Sequence, residues 1–356
     1  MSDPVDPRSL EPAFRDYRMP PEWHPHLSTW LVWPKNPTTW PHRLPRVQET
    51  YLGLLDLLTP GERVDLLVDD SKTEASIRDH LKHAGGTADR VRFHHIRTAD
   101  SWIRDYGPNF VLRRTPGRVE PAFNHWIFNA WGNKYEDLKG DGDIPERLET
   151  ILGMPRLRPA LVLEGGSIDV NGDGVCLSSE RCLLNPNRNP SQSKTEISQF
   201  LKDFLGIRQI VWIPSSIAGD DTDGHVDNLA RFANAHTIVC ALEDDPADEN
   251  YEGLQTNFQH LQAARDERGD PFEIIPLPMP LPVEGDQGRL PASYANFYIA
   301  NQRILLPTFG NSRDAQATEV LQGLFPDRQV VGIDSRDLIW GRGALHCLTL
   351  QQPAVI

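Results

Sequence analysis

Between Leu44 and Leu58 the apolar residues Val47, Tyr51, Leu54, Leu55 and Leu58 recur every three or four positions, which predicts an amphipathic helix with one buried face. "SKTEASIRDHLKHAGG" carries the same period behind a capping box, Ser71 with Glu74, and stops at Gly85. "SKTEISQFLKDFLG" repeats that start with Ser193 and Glu196 and stops at Gly206. "NYEGLQTNFQHLQAARDERG" and "DAQATEVLQGLF" complete the clearer helices.

Between the helices lie paired apolar stretches around small polar turns: "DYGPNFVLRRTPGRVEPAF", "EGGSIDVNGDGVCLSSE", "GHVDNLARFANAHTIVCAL" and "YANFYIANQRILLPTF". Each predicts a strand, a turn and a strand. The early strand "STWLVWP" has no partner upstream and the late strand "ALHCLTL" none downstream, so pairing them closes a ring of five similar units. Irregular repeats whose ends meet predict a closed radial array, an α/β fold of repeated ββαβ-type units forming one domain over residues 1–356. A doubly wound sheet is the alternative, weakened by hairpins that need local antiparallel pairs.

Composition changes the picture little. With 356 residues and 39% hydrophobic residues, the chain is long enough to bury a large core. Thirty prolines and 26 glycines imply many turns, and "IIPLPMPLPVEGDQGRLPAS" reads as an extended connector. A net charge of −14 with no Lys/Arg-rich patch argues against nucleic acid and suits a cationic ligand, as well as plain solubility. Cys176, Cys182, Cys240 and Cys347 form no CxxC pair, the first residues carry no signal-peptide pattern, and no long apolar run occurs. A reduced, cytoplasmic protein with no membrane partner is expected.

Polar residues recur where each hairpin's first strand begins: Asp105, Glu164, His225 with Asp227, and Asn296, with Cys347 in the matching place of the last strand. Equivalent places in a radial array face one axis, so these residues are expected to converge. Singly, each suits a plainer role. A cysteine in an apolar strand is usually core, Asp105 and Glu164 suit turns, and His225 suits a satisfied core position. Together they carry one chemistry. A thiolate attacks, a histidine moves protons, and paired carboxylates grip a planar guanidinium. Ammonia leaves, a thiouronium remains on sulfur, and water releases a urea-type product.

Two patterns compete. "DVNGDGVCLSSE" places Asp169, Asn171, Asp173, Gly174 and Glu180 at calcium-loop offsets, but its flanks read as strands, so "NGDG" is a hairpin turn. "GDDTDGHVD" packs Asp220, Asp221, Asp223, His225 and Asp227 without a second histidine at metal-site spacing. Period-two spacing puts His225 and Asp227 on one strand face.

The segments "RMPPEWHPHLSTWLVWP", "DSWIRDYGPNF", "FNAWG", "LEGGSIDVNGDG", "LLNPNRNP", "DTDGHVDNLARF", "ASYANFYIAN" and "ALHCLTLQQP" run nearly end to end. On them the chain resembles agmatine deiminases and the Porphyromonas-type peptidyl-arginine deiminases, among the guanidino-group-modifying enzymes. The resemblance implies a five-bladed α/β propeller, the pentein fold, with no metal and no cofactor. It implies Cys347 as nucleophile, His225 as acid and base, Asp105 and Asp227 as the guanidinium grip, and Glu164 as the carboxylate beside the histidine. Trp102 is expected to wall the substrate channel, a place where a core tryptophan is the plain alternative, and Asn296 and Gly343 are counted with it as substrate-binding.

Three departures bear on substrate. Arg342 interrupts the usual glycine run, Asn133 replaces the second glycine of "FNAWGG", and Arg15 stands where an acid is common. The departures leave guanidine hydrolysis implied and alter the set that would recognise the far end of the substrate. Hydrolysis of agmatine to N-carbamoylputrescine is the expected activity, with free or peptidyl arginine as the alternative. Amidino transfer is a further variant on the same residues. A metal-binding module without thiol chemistry is the reading from another class. The partner is a small cationic guanidino compound, and a homodimer is compatible.

Overall fold

The computed structural model describes residues 16–83 and 88–356; Arg15 and Gly85, singled out above, lie outside the described residues. All four hairpins form as antiparallel pairs: Asn109–Thr115 with Arg118–Asn124, Ile168–Val170 with Val175–Ser179, Ala230–Phe232 with Thr237–Leu242, and Tyr298–Ile299 with Arg303–Thr308. Each hairpin gains a third strand beside its second: Arg156–Leu157, Gln209–Ile213, Glu273–Pro278 and Gln329–Asp334. A parallel neighbour needs a crossover, and a helix precedes each added strand: Ile144–Leu152, Lys194–Leu205, Tyr251–Ala263 and Arg313–Leu324.

The fifth sheet joins the two ends of the chain. Leu350–Pro353 runs antiparallel to His26–Val32, with Trp30 opposite Leu350. Arg63–Val68 and Val91–His95 extend that sheet in parallel, reached through helices Leu44–Leu58 and Ser71–His83. Among the described residues the strands thus form five separate mixed sheets and one ribbon, Glu284–Gly285 with Gly288–Arg289, so a single doubly wound sheet is overturned. Strand Glu273–Pro278 and that ribbon also replace part of the expected connector.

The helices bury the faces their periodicity marks, and all five apolar positions of Leu44–Leu58 are buried. Ser193 and Glu196 form the expected capping box and Gly206 closes the helix in the left-handed region. Ser71, however, is not the cap. Asp70 Oδ1 accepts the Thr73 amide at 2.8 Å, because a carboxylate outcompetes a hydroxyl at the positive end of a helix.

Two compact units divide the contacts. One takes in the described residues up to Pro21, then Asp105–Pro276 and Val355–Ile356. Its core includes Val111, Leu157, Leu161, Ile168, Cys176, Leu201 and Phe204. The other is Glu22–Arg104 with Leu277–Ala354, built on Trp30, Leu31, Tyr51, Leu66, Tyr298 and Leu305, all fully buried. Burying each such side chain contributes roughly 1.5–3 kcal/mol.

Candidate active site

The polar residues do not begin strands, as the sequence reading expected. They lie in short turns just ahead of them. Asp105 is in the helical turn Ile103–Tyr106, Glu164 precedes the turn Gly165–Ser167, and His225 precedes the turn Val226–Asn228, which contains Asp227. Asn296 is two residues before its strand, and Cys347 is in the helical turn Leu345–Leu348, before strand Leu350–Pro353. A turn lifts a side chain clear of the strand ladder while the strand behind it anchors the backbone. Period-two spacing therefore does not relate His225 to Asp227.

In the first unit Asp105, Glu164, His225 and Asp227 are all buried. His225 Nδ1 is 3.7 Å from Asp105 Oδ1, and its Nε2 is 3.9 Å from Glu164 Oε2. Burial opposes a charge on the imidazole, but Asp105, Cys182 and Glu164 outweigh it and hold His225 well above its ordinary pKa. Opposite charges at such a distance attract by about 4 kcal/mol at an effective dielectric near 20. Burial also raises the Glu164 carboxyl, but the Arg188 guanidinium and His225 reverse that and leave it below the usual carboxylate range. Asp105 goes the other way: burial lifts it, Asp227 adds to the lift, and His225 does not fully offset them. Two carboxylates in one buried space favour a further cation.

That space is defined by a residue with no side chain. A Cβ on Gly166 would lie 2.6 Å from His225 Nδ1, 2.9 Å from Asp105 Oδ1 and 2.9 Å from Asp227 Oδ2. The Gly166 amide also donates to Asp105 Oδ1 at 2.9 Å. The other Asp105 oxygen accepts from Trp131 Nε1 at 2.9 Å. Trp131 reaches it from a left-handed run, with φ of 54° at Ala130, 54° at Trp131, 85° at Gly132 and 64° at Asn133. Such a conformation costs an L-residue roughly 1–2 kcal/mol. Asn133, where the family has glycine, is the side-chain type that tolerates it best. Gly166, Trp131 and Arg188 had no role in the sequence reading. Their signals were the glycine pair after Glu164, "FNAWG", and an arginine between two Asn-Pro pairs.

In the second unit Asn296 holds Cys347. Asn296 Nδ2 donates to its Sγ at 3.2 Å, and Asn296 Oδ1 accepts the His346 amide at 3.0 Å and the Cys347 amide at 3.4 Å. Trp102 lies against Gly341 and Gly343. A Cβ on Gly343 would be 2.6 Å from Trp102 Cζ3 and 3.1 Å from Cys347 Cβ, so glycine is required for this approach. Trp102 also meets Trp40 at 5.4 Å between ring centroids, and Trp40 Nε1 donates to Leu338 O at 2.8 Å. Behind Cys347 runs a buried ionic chain. Glu22 Oε2 accepts from Arg104 Nη2 at 3.2 Å and lies 2.8 Å from His346 Nε2, and Arg104 Nε donates to His346 O at 3.2 Å. Arg342 occupies the left-handed region, φ 67°, which glycine would enter without strain.

The competing patterns are spent on structure. Asn171 Oδ1 accepts the Asp173 and Val175 amides, and Asp169 Oδ2 accepts the Phe232 amide at 2.6 Å, so the calcium-like segment is a hairpin turn. Asp220 Oδ1 accepts the Thr222 amide, and Asp223 binds Lys134, Asn187 and Arg188. Among the described residues, Glu164, Cys182 and His225 bring potential metal-ligand atoms within 4.8 Å of one another. A metal there would compete with Arg188, whose Nε is 2.7 Å from Glu164 Oε1. All four cysteines are free and buried, and no described helix is long and apolar enough to cross a membrane.

Residues 18–353 match the family model of Porphyromonas-type peptidyl-arginine deiminases. An agmatine deiminase of Medicago truncatula is 36% identical, over 97% of this chain and 98% of that protein. The solved agmatine deiminase of Enterococcus faecalis superposes with a TM-score of 0.88 at 28% identity, covering 99% of this chain and 98% of that one. A C. jejuni agmatine deiminase solved with substrate bound gives 0.85 at 31% identity, over 96% and 97% of the two chains. The α/β sheets, the buried acid cluster and these likenesses lead to one assignment: the chain belongs to the Porphyromonas-type peptidyl-arginine deiminase family.

Proposed function

We propose that the protein hydrolyses agmatine to N-carbamoylputrescine and ammonia. The observation that carries this reading is the shared space at Gly166, where two carboxylates and a carboxylate-stabilised imidazolium meet. Asp105 and Asp227 hold the guanidinium through its paired N–H donors. The Cys347 thiolate attacks the guanidinium carbon. Protonated His225 gives its proton to the departing nitrogen, the C–N bond breaks and ammonia leaves. The carbon is now a thiouronium on Cys347. The neutral His225 then takes a proton from water, the hydroxide adds to the carbon, and the C–S bond breaks to regenerate the thiolate and release the ureido product, whose extra proton passes to solvent. Glu164 keeps the imidazole charged and oriented, Trp102 walls the alkyl chain, and Asn296 and Gly343 hold the thiol's surroundings open and fixed.

The two units act as one domain in this reading, and the five sheets are the blades of an α/β propeller. Its support is the repeated order of antiparallel pair, helix and added strand, with the chain ends sharing a sheet. Free cysteines fit a reducing compartment such as the cytoplasm. Free or peptidyl arginine is the second reading, favoured by Arg342, a cation suited to a carboxylate.

The test is a ureido-product assay on agmatine, arginine and an arginine peptide, with wild type and Cys347→Ser. Turnover of agmatine, abolished in the variant, is expected, because an alcohol is far less acidic than a thiol. Full activity of Cys347→Ser would remove Cys347 from the mechanism, and turnover of arginine alone would select the second reading.

A further inference from the structure

One buried side chain touches Glu164, the loop ahead of His225 and the run that carries Trp131. Arg188 Nε donates to Glu164 Oε1 at 2.7 Å. Its Nη1 donates to Asp223 Oδ2 at 2.7 Å and to Asn187 Oδ1 at 2.7 Å, and its Nη2 donates to Thr222 O at 2.9 Å. Asp223 and Thr222 belong to the loop that delivers His225, and Thr222 Oγ1 accepts the His225 amide at 3.1 Å. Asp223 itself holds a left-handed backbone, φ 68°, which needs outside support. The third segment is the left-handed run that aims Trp131 at Asp105. A Cβ on Gly132 would lie 2.7 Å from Arg188 Nη1 and 2.3 Å from Asn187 Nδ2, so that run is seated directly on this pair. Asn187 extends the same seat, accepting through its carbonyl from Asn129 Nδ2 at 2.9 Å.

We propose that Arg188 is the positioning residue of the reaction: its planar fork fixes Glu164, the His225 loop and the Trp131 run in register. The inference rests on the reading of His225 as acid and base. Arginine suits the place because it alone offers several donors in one rigid plane together with a permanent charge. Lysine would supply the charge without the plane. Arg188 touches no reacting atom, so its effect passes through its neighbours.

Several further charges face this pair. Glu164 faces Arg188, His225 and the Cys182 thiol, whose Sγ is 3.9 Å from Glu164 Oε2. His225 faces Asp105, Glu164, Cys182 and Asp220, with Asp227 across from Asp105. Asp223 faces Lys134 as well as Arg188. Removing the arginine charge leaves Glu164 to take up a proton at higher pH. With Glu164 still ionised above that limb, loss of the repelling guanidinium lets His225 keep its proton to higher pH. Both limbs of a bell-shaped rate profile then move up.

The experiment compares wild type, Arg188→Lys and Arg188→Gln in kcat and KM for ureido product across pH. In Arg188→Gln, kcat is expected to fall about 100-fold, with a smaller change in KM. Both of its limbs are expected to rise, the acid limb by about one pH unit. Arg188→Lys should keep limbs near those of wild type while losing about tenfold in kcat, since only the fork is gone. Asp223→Asn, which removes one anchor at the edge of the cluster, should give a smaller loss of the same kind and serves if Arg188→Gln does not fold. The His225 imidazole resonance, assigned by its loss in His225→Asn, is read by NMR without substrate. Its midpoint is expected to move up in Arg188→Gln. Unchanged limbs and an unchanged His225 midpoint, with activity lost only in step with Tm, would overturn the positioning role. A wild type that turns over no guanidine compound would instead sink the reading of the reaction, and the His225 midpoint would still decide the role of Arg188.

Discussion

Two buried carboxylates, one in each unit, differ in what faces them. Glu164 faces a guanidinium and an imidazole, and it is held below the usual carboxylate range although burial pushes it up. Asp100 faces neutral donors, among them the Thr39 hydroxyl, the Ser101 amide at 2.8 Å and Asn36 Nδ2 at 3.3 Å. Burial wins there and lifts its carboxyl to about 6. The same contrast runs through each cluster. Around His225 full charges are closed by Arg188, whereas Asn296 gives Cys347 Sγ a neutral donor, with the charges of Glu22, Arg104 and His346 beside it in sequence or contact.

The sharpest way to break the acid cluster is to fill it. Gly166→Ala places a methyl carbon where His225, Asp105 and Asp227 already meet, with His225 Nδ1 only 2.6 Å away. The side chains must move apart, and a displacement of this size is expected to lower kcat by at least about 100-fold. Crowding is expected to cost about 1–3 kcal/mol of stability. Steady-state kinetics together with denaturant unfolding check both. Near-normal turnover in the alanine variant would mean that the three groups do not act through this space.

Much of this contrast was already written in the chain. Helical periodicity marked the buried face of Leu44–Leu58, and paired apolar runs marked all four hairpins, because local pattern dictates both. The pairing of first and last strands followed from each lacking a neighbour. What was not legible depended on three-dimensional approach. A glycine such as Gly166 announces a close contact but not with what. Arg188 is one of 36 lysines and arginines, and nothing local tells that its donors find Glu164 and the His225 loop. Turns ahead of strands were taken for strand starts, since four-residue turns such as Leu345–Leu348 are too short to show a helical period.

A gentler test targets the neutral cage. The ionised Asp100 carboxylate is disfavoured in the folded chain, so its cost is present above about 6 and relieved as pH falls toward the unfolded value near 3.8. Asp100→Asn removes that titration. The Tm of the variant minus that of wild type is expected to be more positive at neutral pH than at pH near 5. The reverse trend, read by calorimetry, would mean that the neutral donors hold the charge as well as Arg188 holds that of Glu164.

The smallest effect is expected at Arg342, in the same unit. Its φ of 67° strains an arginine and not a glycine. Glycine also gains more freedom in the unfolded chain, which offsets part of the relief. Arg342→Gly is therefore expected to change stability by no more than about 1 kcal/mol, upward. Its informative readout is specificity, as kcat/KM for agmatine over that for arginine. A rise in that ratio is expected if the cation repels the far ammonium of agmatine. If the ratio is unchanged, Arg342 is a backbone substitution at a glycine position and substrate choice is made by other residues.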